Sequence, residues 1–176
     1  MGDRGRVIQQ SKAKLTKPVS LKDGHDLSAF DCGRAEITDW LHKKALKAGD
    51  TDTAKTYVVC RGTKKVVAYC SLAAGGVAHS QIPNSLARNA PDPIPIIILA
   101  RLGVTSSEQG QGLGRALIAE AMRRAAQASK IIGARAMLVH ALDESLAAYY
   151  ESLGFRRVSD GAQTLYLPMK IVRDGL

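Results

Sequence analysis

Apolar residues recur at two different periods along this chain, and the switches between them divide it into elements. Ile37, Trp40, Leu41, Ala45 and Leu46 fall at three- and four-residue spacing after Asp31-Cys32-Gly33, which predicts one amphipathic helix ending near Gly49, with Trp40 as a core anchor. Residues 57–60 and 66–72 are β-branched and aromatic runs split by Gly62-Thr63-Lys64-Lys65, hence a hairpin. Pro83, Pro91, Pro93 and Pro95 mark residues 79–95 as a structured loop. A strand (96–104), a glycine loop (109–114), a helix (115–130) and a second strand (134–141) follow in that order. An antiparallel hairpin followed by a βαβ order predicts an α/β fold: a mixed, twisted sheet with helices on both faces.

Length and composition set the outer limits of that reading. A chain of 176 residues with 45% hydrophobic content closes one core, so residues 15–170 are expected to form a single domain. Residues 1–14 lack periodicity and read as a flexible arm or tag, and residues 171–176 as a tail. No apolar run approaches the ~20 residues of a membrane span, and the start, Met1-Gly2-Asp3-Arg4-Gly5-Arg6, runs into polar sequence rather than a signal-peptide core. A cytoplasmic protein is expected. Cys32, Cys60 and Cys70 are odd in number and lack C-x-x-C spacing, so they read as reduced packing thiols, with no disulfide frame and no metal site. The formal net charge of +9 raises the local concentration of polyanions and is commonest where a protein meets nucleic acid or anionic membranes.

The chemistry is concentrated in Gln109-Gly110-Gln111-Gly112-Leu113-Gly114. Three glycines in six residues let the backbone turn tightly, so successive N–H groups can face an anion at the positive end of the following helix. A nucleotide P-loop would end in Gly-Lys-Ser/Thr, whereas Gly114 is followed by Arg115-Ala116 and nothing is placed to hold Mg²⁺. A dinucleotide fingerprint fails as well, because Arg115 stands where its last glycine should fall. The pattern Q/R-x-x-G-x-G/A, filled by Gln109, Gly112 and Gly114, instead resembles the acetyl-coenzyme A pyrophosphate loop of the GNAT superfamily of N-acetyltransferases. A second block, residues 143–155, places Tyr150 four residues before Gly154-Phe155, and is similar to the superfamily's segment N-x-x-A-x-x-[LF]-Y-x-x-x-G-F. The stretch Arg88-Asn89-Ala90-Pro91-Asp92-Pro93-Ile94-Pro95 leading into Leu99-Ala100-Arg101-Leu102, together with Val139-His140-Ala141, resembles the toxin branch typified by TacT, AtaT and ItaT.

That resemblance implies a sheet with a splayed central parallel strand pair. A pantetheine arm would run along the backbone of Leu102, Gly103 and Val104 where the neighbouring strand, near residues 137–139, parts from it. Gln109, Gly110, Gln111, Gly112, Leu113 and Gly114 would hold the pyrophosphate, with Arg115 as an added cation. Asp143 stands where the family usually shows an asparagine that contacts the pantetheine amide. Tyr150 would be the acid that protonates the leaving thiolate, while Tyr149 faces about 100° away on the helix. Glu108, Glu144, Glu151 and His140 are the bases within reach of the same blocks, and no spacing selects one of them. The toxin branch implies an aminoacyl-tRNA acceptor, a ribbon-helix-helix antitoxin partner and a homodimer. Lys43, Lys44, Lys47 and Arg88 are the expected tRNA contacts. An N-acetyltransferase acting on a small amine or a protein, and a catalytically silent acyl-CoA- or nucleic-acid-binding module, remain as alternatives.

Overall fold

A computed structural model describes residues 12–175. In chain order these form β1 (Val19–Ser20), α1 (Ala35–Lys43), α2 (Ala45–Asp50), β2 (Lys55–Arg61), β3 (Lys65–Val77), α3 (Asn84–Ala87) and β4 (Ile94–Val104). They continue with α4 (Leu113–Ser129), β5 (Ala136–His140), α5 (Glu144–Ser152), β6 (Arg156–Arg157), β7 (Thr164–Pro168) and α6 (Met169–Asp174). The seven strands make one sheet in the order β1-β2-β3-β4-β5-β7-β6. Only β4 and β5 pair in parallel, as the βαβ order requires, and every other neighbouring pair is antiparallel. The mixed sheet expected from the sequence is present.

Three apolar clusters hold the helices on this sheet. Leu117, Ile118, Ala121 and Ala125 of α4 bury against Val59, Leu99, Met137 and Leu165, and α5 and α6 join the same cluster through Ala147, Tyr150, Met169 and Val172. Ile37, Leu41 and Ala45 cover β2 and β3 over Phe30, Val58 and Tyr69. Leu86 and Ala87 of α3 cover Ile94, Ile96, Ala136 and Tyr166.

Several boundaries differ from the sequence reading. The single amphipathic helix is two, because Lys44 leaves helical geometry at φ −129°, ψ −27°. Leu41 and Ala45 still meet the same cluster across that break, so the apolar periodicity does not register it. The loop 79–95 contains a single 3₁₀ turn at His79–Gln81 and the short helix α3, and its last two residues already belong to β4. The hairpin β6–β7 carried no separate sequence signal. Residues 1–11 of the expected arm lie outside the described residues, but residues 12–14 run beside β2: the Gly62 amide donates to the Lys14 carbonyl at 2.9 Å, and Arg61 donates to the Ala13 carbonyl at 2.9 Å. Residues 171–174, read as tail, are helical, and Val172 is fully buried.

One irregularity decides where the site can form. Across β3 and β4, Ser71 pairs with Arg101 but Leu72 pairs with Leu99, so Ala100 is an extra residue, a β-bulge. Before it Ile97 and Leu99 face the α4 cluster; after it Leu102 and Val104 do. The bulge inverts the inside–outside phase of the strand and bends it.

Candidate active site

The parallel pairing of β4 and β5 ends at Leu99↔Val139, while β4 continues for five more residues bonded to β3 alone. Residues 137–139 therefore stay paired, and the parting begins one residue beyond them, at the bulge. Leu102, Gly103 and Val104 lie past that point, with an edge toward β5 that carries no ladder among the described residues. Gly103 is required there for packing, since a Cβ would come within 2.8 Å of Ile37 and 3.1 Å of Tyr69. The opening between the strands is a cleft of about 360 Å³, lined among others by Leu99, Arg101, Leu102, His140, Leu146 and Tyr150.

At the end of β4 the chain turns through Gly110 (φ +76°) and Gly112 (φ +82°) into α4. Both glycines sit in the left-handed region that L-residues avoid, and a Cβ on either would meet nothing within 4 Å. The first bond of the helix runs from the Ala116 amide to the Gly112 carbonyl at 3.0 Å. The amides of Leu113, Gly114 and Arg115 precede it, and Gly112 offers no side chain to cap them. Three donors without a partner among the described residues thus sit at the positive end of a 17-residue helix, beside the open space around Gly110 and Gly112, an arrangement that suits a pyrophosphate. Gln109 does not point at that space: its side-chain amide donates to the carbonyls of Cys32 (3.1 Å) and Val104 (2.9 Å), tying the loop to β4. Arg115 is exposed at the third helical position.

The Tyr-x-x-x-Gly-Phe spacing of the second motif has a structural cause. Gly154 takes φ +98° just past α5, the Gly154 amide donates to Glu151 at 2.9 Å, and the Phe155 amide donates to the Tyr150 carbonyl at 3.2 Å. This is a Schellman cap, whose usual apolar contact is the edge-to-face pair Tyr150–Phe155 at 5.6 Å between centroids. The cap pins the Tyr150 ring at the wall of the cleft. Tyr150 is 5% exposed and its hydroxyl makes no hydrogen bond among the described residues. Burial, with smaller contributions from Tyr149 and Cys70, pushes its pKa well above the usual phenol value. Tyr149 is half-buried beside it at 6.0 Å.

Asp143 caps the start of α5, accepting from the Leu146 amide at 2.9 Å, and pairs with Arg34. Those helix amides, then Arg34, hold its carboxyl below the usual range. Of the four bases weighed from the sequence, three are held by arginines. Glu108 accepts from Arg61 Nε and Nη2, each at 2.9 Å, and Glu144 and Glu151 both contact Arg157. His140 instead lines the cleft, its Nδ1 2.9 Å from Thr164 Oγ1. Sequence reasoning missed Glu36 and Arg101, which also line the cleft. Arg101 sits over the Trp40 ring at 5.7 Å, and its Nε is buried without a partner among the described residues. Arg101 stands within the Leu99–Leu102 stretch of the toxin resemblance, but no local pattern puts it or Glu36 in the cleft, because the bulge decides where Arg101 points. Lys43, Lys44 and Lys47 lie exposed on the α1–α2 cover, where Lys43 pairs with Asp39, whereas Arg88 follows α3 at the other end of β4. The structure therefore puts the four expected tRNA contacts on two separate covers of the sheet.

Strands that part beside a glycine-rich helix start, with a tyrosine on the wall of the opening, make the layout of an acyl-coenzyme A-dependent transferase. The family model described as acetyltransferase (GNAT) domain matches residues 52–157, and the chain belongs to that family. The chain is similar to a tRNA-acetylating toxin of Mycobacterium tuberculosis, with 39% identity over 89% of this chain and 93% of that protein. Among solved structures, a tyrosine-to-phenylalanine mutant of KacT superposes with a TM-score of 0.86 at 27% identity, covering 92% of this chain and 99% of that one. AtaT complexed with acetyl-methionyl-tRNAfMet superposes with a TM-score of 0.81 at 31% identity, covering 90% and 97%. AtaTR has also been solved with acetyl-CoA, and a tyrosine-to-phenylalanine mutant of the AtaT toxin bound to the C-terminus of the antitoxin AtaR.

Proposed function

We propose that this protein is a toxin-type N-acetyltransferase that moves the acetyl group of acetyl-CoA to the α-amino group of an aminoacyl-tRNA, which removes that tRNA from translation. The observation that carries the reading is the 39% identity, along nearly the whole chain, to a tRNA-acetylating toxin. The AtaT complexes with acetyl-methionyl-tRNAfMet and with acetyl-CoA support both substrates, and the AtaT–AtaR complexes support an antitoxin partner. A ribbon-helix-helix antitoxin, a homodimer and a cytoplasmic location belong to the same proposal. No helix among the described residues is long and apolar enough to cross a membrane.

In this reading each part of the cleft has one task. The amides of Leu113, Gly114 and Arg115 hold the pyrophosphate, and the unpaired β4 edge at Leu102–Val104 aligns the pantetheine arm. The neutral amine attacks the thioester carbonyl, the C–S bond breaks, the thiolate takes the proton of the Tyr150 hydroxyl, and the proton shed by the newly acylated nitrogen returns, through solvent in the open cleft, to the tyrosine oxygen. Lys43, Lys44, Lys47 and Arg88 meet RNA phosphates, which is the use proposed for part of the +9 charge. Incubating a complete pool of charged tRNAs with the enzyme and labelled acetyl-CoA should add one acetyl group to the aminoacyl-adenosine, read by mass spectrometry, and leave uncharged tRNA unlabelled. Acetylation of a free amine or a protein terminus, with all charged tRNAs untouched, would replace the toxin reading by that of an ordinary N-acetyltransferase.

The pH dependence follows from the buried tyrosine. Because burial disfavours the phenolate, Tyr150 keeps its proton across and above the neutral range, so its titration imposes no loss of activity on the alkaline side. The acceptor must be neutral, and an α-amine titrates at about 7.7–8.0. Initial-rate kcat/KM should therefore rise about tenfold per pH unit below that value and stay level to about pH 9.5. A fall in initial rate between pH 8 and 9.5 that vanishes in Tyr150→Phe would contradict the assignment.

A further inference from the structure

At the N-terminal end of β5, opposite the end that opens into the cleft, lies a second concavity of about 340 Å³. Arg135, Arg156, Lys170 and Arg173 converge on it from the start of β5, from β6 and from α6. No carboxylate lines it, and none of the four makes an ion pair among the described residues. By contrast Arg34, Arg61, Arg123, Arg124 and Arg157 each have a carboxylate partner. Four like charges on one concave surface repel one another, and that repulsion is relieved by an anion from outside. Arg135 is held in place, with Nε donating to the Leu86 carbonyl at 3.2 Å and Nη2 to the Arg88 carbonyl at 3.3 Å, so the basic surface runs on toward Arg88.

Coenzyme A bound at the glycine loop cannot be the anion, because that loop leaves the other end of β4. The five residues of β5 separate the concavity from the cleft by about 16 Å, at ~3.3 Å per residue. That is about five steps along a nucleic-acid strand at ~3.4 Å each. We propose that this basic pocket grips the phosphodiester backbone of the tRNA while its aminoacyl end occupies the cleft, the two sites lying at opposite ends of one strand. The inference rests on the aminoacyl-tRNA reading above. It assigns to the RNA a surface distinct from the α1–α2 lysines.

The test is Arg156→Gln/Lys170→Gln/Arg173→Gln; Arg135 is spared because it also anchors α3. Affinity for uncharged tRNA, measured by filter binding, should fall about tenfold at ~0.15 M salt, and the magnitude of the salt slope should drop by about 0.7–0.9 for each phosphate no longer neutralised. With charged tRNA, KM should rise by a similar factor at unchanged kcat, and the KM for acetyl-CoA should not move. The charge-conserving Arg156→Lys/Arg173→Lys should bind as the wild type does, and matching melting temperatures would show that all three proteins are folded. Unchanged tRNA affinity and salt slope in the triple variant overturn the proposal. So does a loss confined to DNA bound by a toxin–antitoxin complex, which would give the pocket to DNA instead. If the wild type acetylates no charged tRNA while the triple variant loses tRNA affinity, the functional reading fails and the pocket stands.

Discussion

Tyr150→Phe should lower kcat by roughly 10²–10⁴-fold, the usual worth of a positioned proton donor, or about 2.7–5.4 kcal/mol of barrier. The fold should not notice the change. The edge-to-face contact with Phe155 needs only the ring, and the hydroxyl makes no hydrogen bond among the described residues, so its removal orphans no partner. The KM for acetyl-CoA and the melting temperature should therefore match the wild type. Tyr149→Phe supplies the control, since its ring is half-buried on an adjacent face of α5 and is not among the cleft-lining residues. Full turnover in Tyr150→Phe, or a larger loss in Tyr149→Phe, would move the acid elsewhere.

The second large effect is expected at the start of α4. Gly114→Val keeps a position with ordinary helical geometry, where the nearest atom to a new Cβ is Val104 Cγ2 at 3.9 Å, so the helix tolerates it. Its branched bulk would stand among the unsatisfied amides and keep a pyrophosphate from reaching them. Without two charge-assisted hydrogen bonds, at about 1.5–3 kcal/mol each, acetyl-CoA binding weakens by roughly 10²–10⁴-fold, measured by calorimetry. Gly112→Val should do the same with an added cost of about 1–2 kcal/mol in stability, because its φ of +82° strains any L-residue. Gly133→Ala, also with nothing within 4 Å of a new Cβ, should leave affinity unchanged. Undiminished affinity in Gly114→Val would remove the pyrophosphate from this loop.

The two motifs were legible in the chain because each is a local backbone device. Glycines at 110 and 112 are read from sequence since a tight turn into a helix start needs left-handed geometry, and the interactions concerned span a few residues. The Tyr150–Gly154–Phe155 spacing is equally local, being the hydrogen-bond register of a helix cap. Hydrophobic periodicity found the α1–α2 cover, the hairpin, β4, α4 and β5 for the same reason: the period reports which side of an element is buried. Boundaries were missed where an apolar face continues across a break, as at Lys44, or where a short strand pair has too few residues to show a period, as in β6.

Residue order by itself determined the class of the fold and the positions of the glycine loop and Tyr150, because those depend on interactions between near neighbours. Only tertiary structure decided how the cleft opens and which charges remain available in it. The bulge at Ala100 arises from the register between β3 and β4, so nothing within β4 alone announces that Arg101 turns toward Trp40. Arg61 and Glu108 are 47 residues apart, and Arg34 and Asp143 are 109 apart. Pairing at such separations depends on the whole sheet assembling, and it holds Glu108, Glu144 and Glu151 to arginines while His140 and Glu36 face the opening. The basic pocket has the same origin: Arg135, Arg156, Lys170 and Arg173 are scattered single charges along the chain, and one concave surface only where β5, β6 and α6 meet.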